Sequence, residues 1–376
     1  MDFKYILEAR DVSYVYGKGD GANASLKNVS LGIRPGVKTV ILGANGAGKS
    51  TLFYHFNGVF RPTTGEMFYR GISVSYQKEH LYELREDVAV VVQNPDEQIF
   101  SSTVEEDVAF GPMNLNLHPD IVEGRIRDSL FKVGMEDYRY RPTTQLSYGQ
   151  KKRVAIAGAL AMDPKVLILD EPTAGLDPQM SQEVMELVDQ MCLAGTTVII
   201  STHDVNLAYA WAEEIHVLRH GTLVFSGEPE DFFNDRDSVA LAGLTLPHTF
   251  SVNRSLEGIR GQPEAPYPRT NSQLLAKLSP PEAKFGTLRI TPLPESENPD
   301  REDEGLRVGI YGFKTRRAFK DRGLRADIYF NAVEGCCLSA MQGRDTVLYC
   351  DPELVDVVRR RVEDLSRFGR APEVVP

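Results

Sequence analysis

Cysteine is scarce in this chain: Cys192, Cys336, Cys337 and Cys350 are the only four in 376 residues. They are too few and too clustered for a disulfide framework, so a reducing cytosol is expected. No apolar run approaches the ~20 residues of a membrane-spanning helix. Met1-Asp2-Phe3-Lys4 also opens without the basic start and apolar core of a secretion signal. Any role at a membrane is therefore expected to be peripheral. A basic excess is missing as well. Lys and Arg total 42 against 53 Asp and Glu, a net charge of −11 that argues against a broad nucleic-acid surface. The seven histidines show no spacing suited to a transition metal, and none lies in residues 306–376. Cys336-Cys337 with Cys350 form a soft-metal alternative, but buried structural cysteines are the expectation.

What the chain does have is Gly43-Ala44-Asn45-Gly46-Ala47-Gly48-Lys49-Ser50, followed by Thr51. It fits G-x-x-x-x-G-K-[ST], a loop whose backbone N–H groups wrap the phosphates of a nucleotide. The flanks are right for it. Thr39-Val40-Ile41-Leu42 reads as a buried strand, and Thr51-Leu52-Phe53 begins a helix. Glycine lets the backbone approach phosphate oxygens closely, and the helix N-terminus adds positive potential. Lys49 is placed to reach the β- and γ-phosphates, and the Ser50 hydroxyl to hold Mg2+.

Along the chain, residues 3–16 and 26–31 read as strands, and Pro35-Gly36 turns into the strand before the loop. Residues 103–145 are mainly helical, with a Thr103/Glu106 capping box and Ile126, Leu130 and Val133 at helical spacing. A second helix is predicted from Ser147, with Gln150 three residues on, through Leu160. Residues 166–169 and 198–200 are buried parallel-strand runs, with a helix over 178–192 between them. The pattern predicts an α/β core with an inserted helical subdomain. The composition changes after residue 250, with prolines through 263–281 and an acidic, polar stretch at 295–304. Residues 306–311, 326–330 and 346–349 are strand-like, with helical segments between and after them. The expected domains are thus a nucleotide-binding unit at 1–245, an extension and linker at 246–305, and a small α/β module at 306–376.

A phosphate loop alone does not choose among kinases, GTPases and ATPases. Leu167-Ile168-Leu169-Asp170-Glu171 ends an apolar strand in two adjacent acids. Asp170 is placed to bind Mg2+, and Glu171 to polarise a water in line with the γ-phosphate. Leu146-Ser147-Tyr148-Gly149-Gln150 resembles the LSGGQ signature of ABC ATPases, with Tyr148 in place of the first glycine. Ser147 caps a helix whose N-terminus and Gly149 backbone offer donors to an anion.

That resemblance covers residues 3–245, with the family's elements in order. It implies a Q-loop glutamine at Gln93, which senses Mg2+ and water, and a switch histidine at His203, which contacts the γ-phosphate. It also implies a D-loop at Ala174-Gly175-Leu176-Asp177 and an aromatic ring on adenine at Tyr16, with Tyr14 the alternative. ABC ATPases dimerise so that the phosphate loop of one subunit and the signature of the other sandwich each ATP. Hydrolysis then opens the sandwich and moves a membrane partner.

Among ABC proteins, a transporter motor competes with a soluble ATPase acting on DNA or ribosomes and with a nucleotide-responsive regulator. Only 98 positions separate Lys49 from Ser147, too few for the long coiled coil of DNA-repair relatives. One cassette is present rather than two, and Glu171 and His203 argue against a regulator with little turnover. Residues 93–112 and 150–158 resemble the ATPases of energy-coupling factor importers, in particular the cobalt-importer ATP-binding subunit. The resemblance implies ATP and Mg2+ as ligands, a homodimer or a heterodimer with a related ATPase, and integral membrane coupling and substrate-binding subunits. It places the chain at the cytoplasmic face of the membrane. Cobalt or nickel is the expected cargo and a vitamin such as biotin the alternative, since substrate choice resides in the membrane subunits. No role for residues 306–376 follows from the resemblance.

Overall fold

The computed structural model describes residues 3–17, 23–115, 117–261, 263–293 and 305–375. The acidic linker expected at 295–304 and most of the glycine-rich turn at 17–21 lie outside them. The chain divides into two compact units, Met1–Leu246 and Pro247–Pro376.

In the first unit β1 (Leu7–Tyr16) pairs antiparallel with β2 (Asn23–Ile33). The fully buried β3 (Thr39–Leu42) leads through the phosphate loop into α1 (Lys49–Phe56). Next come β4 (Thr64–Tyr69), β5 (Ile72–Ser73) and α2 (Lys78–Asp87). The antiparallel sheet has the order β2-β1-β4-β5. Leu52, Phe53 and Phe56 of α1 join Val12, Val29 and Ile41 in one buried core, so the helix behind the loop is anchored by apolar packing.

β6 (Val88–Val91), β7 (Val166–Leu169), β8 (Thr197–Thr202), β9 (Glu214–Arg219) and β10 (Thr222–Gly227) complete a six-stranded sheet of order β10-β9-β3-β8-β7-β6. All its pairings are parallel except the β9–β10 hairpin. The register sets Leu42 beside Thr202, Leu169 beside Ile200, and Val91 beside Leu169. The residues that follow these strands therefore emerge side by side at the carboxyl edge, where open parallel sheets bind ligands.

The helical insertion comprises α3 (Val104–Asn114), α4 (Pro119–Lys132) and α5 (Tyr148–Ala161). Both predicted capping boxes form, Thr103 with Glu106 and Ser147 with Gln150. Arg139 donates to Glu105 of α3 at 3.2 Å and to Glu123 of α4 at 2.7 Å, clipping the two helices together. α6 (Pro178–Leu193), α7 (Val205–Trp211), α8 (Pro229–Asn234) and α9 (Arg236–Ala242) finish the unit.

The second unit holds α10 (His248–Arg260), α11 (Asn271–Leu278), β11 (Thr287–Pro292), β12 (Arg307–Tyr311), α12 (Phe313–Asp321), α13 (Ala332–Met341), β13 (Thr346–Cys350), α14 (Val355–Glu363) and β14 (Glu373–Val375). Its parallel sheet has the order β12-β13-β11-β14. Two expectations need correction. β11 lies inside the stretch read as extension and linker, yet it forms an inner strand of this sheet; Pro292 stands at its end, where a missing N–H costs little. Residues 326–330 do not form a strand and keep one isolated bridge, Gly309 to Ile328. There the Asp327 carboxylate accepts the Val308 N–H, and a side chain replaces the backbone carbonyl that would extend a ladder. Cys336, Cys337 and Cys350 are buried among Leu288, Ile290 and Leu348. Burial pushes the thiols of Cys337 and Cys350 up to about 12 and that of Cys336 higher still, which keeps them protonated.

Candidate nucleotide-phosphate site

The phosphate loop leaves β3 with the Gly43 N–H donating to Thr202 O of β8 at 3.2 Å. Its last glycine, Gly48, is the N-cap of α1 and sits at φ 104°, a left-handed conformation that β-carbon-bearing residues rarely adopt. A β-carbon there would also lie 2.7 Å from Ser25 O. α1 has no side-chain cap, unlike α3, α5, α6, α7 and α9, and it has no acidic residue in its first turn. Among the described residues no side chain caps the donors at its N-terminus, the arrangement that suits a phosphate.

Lys49 is almost fully buried. Its Nζ donates to Gly43 O at 2.7 Å and Ala44 O at 3.2 Å, and it pairs with the Glu171 carboxylate at 3.1 Å. Three acceptors take the three ammonium protons, as a buried charge requires. Glu171 is also buried and stands at φ 45°, uncommon for a residue other than glycine. His203 Nδ1 lies 3.1 Å from each of its carboxylate oxygens, from a half-exposed position after β8. The structure thus gathers Lys49, Glu171 and His203 into one cluster at the carboxyl edge of β3, β7 and β8.

A further residue, not anticipated from the sequence, holds this cluster. Ser201, fully buried in β8, accepts the Glu171 N–H at 2.9 Å and donates to the Asp170 carboxylate. One hydroxyl fixes both acids. A serine at the end of an otherwise apolar strand run, two positions before His203, was the available signal. Lys152 is the second such residue. It falls on the buried face of α5 with Gly149, Ile156 and Ala159, at spacings of three and four. A charge on an apolar stripe was the signal there. Burial lowers its pKa to about 8, against the opposing pull of Asp170 and Glu171.

The remaining expected residues fall into two groups. Tyr16 donates to or accepts from Thr51 at 3.2 Å, and Thr51 meets Ser25 at 2.8 Å, which ties the end of β1 to the start of α1. Tyr16 is 42% exposed, whereas Tyr14 is stacked on Phe60 with centroids 5.0 Å apart and planes 9° from parallel. Asn45, Gly46, Ala47 and Ser50 lie in the loop and the first turn of α1, and Gln93 follows β6 with an exposed side chain. By contrast, Ser147 and Gln150 cap α5, and Asp177 caps α6 by accepting from Met180 N at 2.8 Å. Among the described residues no hydrogen bond links Ser147, Gly149, Gln150 or Asp177 to the phosphate loop.

A loop, two strand-end acids and a histidine in this arrangement define a P-loop nucleotide hydrolase, and comparison with known proteins narrows the class. Residues 26–174 match the ABC transporter family. The energy-coupling factor transporter ATP-binding protein EcfA of Methanocaldococcus jannaschii is 48% identical over 243 residues, 65% of this chain and 86% of the relative. The EcfA2 protein of Methanospirillum hungatei is 36% identical over 370 residues, 95% of this chain and 92% of the relative. Among solved structures, CbiO1 of Clostridium perfringens, part of the ABC transporter complex CbiONQ, superposes with a TM-score of 0.57. It is 39% identical and covers 68% of this chain and 96% of its own. A dimeric ATP-binding cassette in a post-hydrolysis state with ADP and Pi gives 0.55 at 29% identity, over 59% of this chain and 98% of its own. The chain belongs to the ABC ATPase family, in the branch of energy-coupling factor transporter ATP-binding proteins. It is an ATP-binding ATPase. No helix of the described residues is long and apolar enough to cross a membrane.

Proposed function

We propose that this chain is the ATP-hydrolysing motor of an energy-coupling factor importer, carrying cobalt or nickel ions, at the cytoplasmic face of the membrane. The observation that carries the reading is the cluster of Lys49, Glu171 and His203 beside a phosphate loop whose helix lacks a cap of its own. The names of its relatives as energy-coupling factor transporter subunits, and the CbiONQ complex of one structural neighbour, support the transport role and its membrane subunits.

The geometry supports a route for hydrolysis. The backbone from Gly43 to Thr51 receives the β- and γ-phosphates, and Tyr16 offers its exposed ring to adenine. Lys49 exchanges the Glu171 carboxylate for the γ-phosphate, which releases Glu171 to take a proton from the attacking water. His203 then trades Glu171 for a γ-phosphate oxygen. Ser50, Asp170 and Gln93 carry the hard oxygen donors that would hold Mg2+, which when bound would supply charge to offset that building on the phosphates. Among the described residues no hydrogen bond joins Ser147, Gly149, Gln150 or Asp177 to the phosphate loop, which fits a second subunit, identical or related, receiving them across a dimer.

Co-purification from membranes tests the transport reading. Membrane subunits should accompany the chain, and cobalt or nickel uptake should require its ATP hydrolysis. Recovery with biotin-binding subunits would replace the metal cargo by a vitamin. Recovery without any membrane partner would refute the motor role.

A further inference from the structure

The first two turns of α5 do more than present the signature. Three of their side chains, at 148, 151 and 152, reach back to the segment that follows β6. Lys152 Nζ donates to Val92 O at 3.2 Å and Gln93 O at 2.8 Å, and lies 3.5 Å from Glu171 O. Tyr148 Oη donates to the same Gln93 carbonyl at 3.4 Å. Lys151 pairs with Asp96 at 2.6 Å. Tyr148 and Lys152 stand four residues apart, on one face of the helix, and converge on one acceptor. The ring of Tyr148 also covers Gly175, where a β-carbon would come within 2.8 Å of it.

An ammonium with no exposed surface is an expensive device for joining loops. Its three acceptors are all main-chain carbonyls, one belonging to the proposed Mg2+-sensing glutamine and one to the proposed catalytic acid. Backbone contacts of this kind fix where Gln93 and Glu171 stand without touching what their side chains bind.

We propose that Lys152, assisted by Tyr148, is a positioning residue for hydrolysis that locks the Gln93 segment to the Glu171 backbone, so that both reach the γ-phosphate in register. Tyr148, which replaces a signature glycine, extends the lock to Gly175. This rests on the reading of Gln93 and Glu171 as hydrolytic residues.

The test uses the full-length chain and steady-state ATP hydrolysis. Lys152→Met should lower kcat at least tenfold and leave KM for ATP within about threefold, because the phosphate loop is untouched. Lys152→Gln keeps a donor at the same site and should recover part of the loss, and it replaces the Met variant if that variant does not fold. Tyr148→Phe should cost no more than about threefold, since its bond is long. Gln93→Ala added to Lys152→Met should cost less than the product of the two single losses, because one acts through the other. A folded Lys152→Met protein with kcat within twofold of the parent would overturn the proposal. So would a double variant whose losses multiply, or a lower melting temperature with unchanged kcat. If Gln93→Ala alone is harmless, the underlying reading of Gln93 has failed, a result distinguishable from failure of Lys152 by itself.

Discussion

Ser201→Ala isolates a hydroxyl that serves two acids at once. Ser201 is fully buried; it accepts the Glu171 N–H at 2.9 Å and donates to the Asp170 carboxylate. A hydrogen bond to a charged group contributes about 1.5–3 kcal/mol, and a buried N–H left without a partner costs about 1–3 kcal/mol. The space freed by one oxygen is smaller than a water needs. The substitution should therefore destabilise the nucleotide-binding unit by about 3–5 kcal/mol. Glu171 carries a second burden, since φ near 45° costs about 1–3 kcal/mol and persists only while its neighbours hold it. Released from Ser201, its carboxylate should leave the line of attack, lowering kcat at least tenfold with KM for ATP little changed. Chemical denaturation and steady-state hydrolysis read the two effects separately. A stability change under about 0.5 kcal/mol, with kcat unaltered, would refute the claim that this hydroxyl holds the acids.

Glu171→Gln should preserve ATP binding and nearly abolish turnover, since an amide keeps the shape but is no base; turnover within about twofold of the parent would remove Glu171 from catalysis. His216 is buried in β9 with Nδ1 2.9 Å from Ser226, and burial first, then Arg34, lowers its pKa to about 4. Folding therefore favours neutral His216, and the unfolded chain binds the extra proton as pH falls below about 6.5. Stability should decline from there toward pH 4 by about 3 kcal/mol, and His216→Gln should flatten that slope in urea titrations across this range. A chain ending at Leu246 should fold and still hydrolyse ATP, because the phosphate loop, both acids, the signature and His203 lie before that residue. A folded but inactive product would make residues 247–376 part of the hydrolytic machine.

The parts of the site legible in sequence are those whose chemistry is local. Gly43 to Ser50, Asp170 with Glu171, and Ser147 with Gln150 each announce a turn, a strand end or a cap within a few residues. Ser201 and Lys152 were not legible as site residues, because their value lies in what three-dimensional packing places opposite them: Glu171 and Asp170 for one, the Val92 and Gln93 carbonyls for the other. The same distinction separates elements of the fold. The buried runs at 39–42 and 166–169 read as strands because both faces are apolar. β11 was hidden by Pro292 and by its polar neighbours, and 326–330 looked like a strand until Asp327 took the Val308 N–H with its side chain. Tyr16 was the expected adenine ring and Tyr14 the alternative; Tyr14 is stacked on Phe60, and Tyr16 is the exposed ring.

The proposed ATP sandwich is tested most directly by ATP trapping in a mixed dimer. One subunit carries Lys49→Ala and the other Ser147→Arg, each inactive as a homodimer. If sites are built across the dimer, one site collects both lesions. The other then combines an intact Lys49 with an intact Ser147. The account predicts one occluded nucleotide per mixed dimer. A mixed dimer shown to form that occludes none would contradict it.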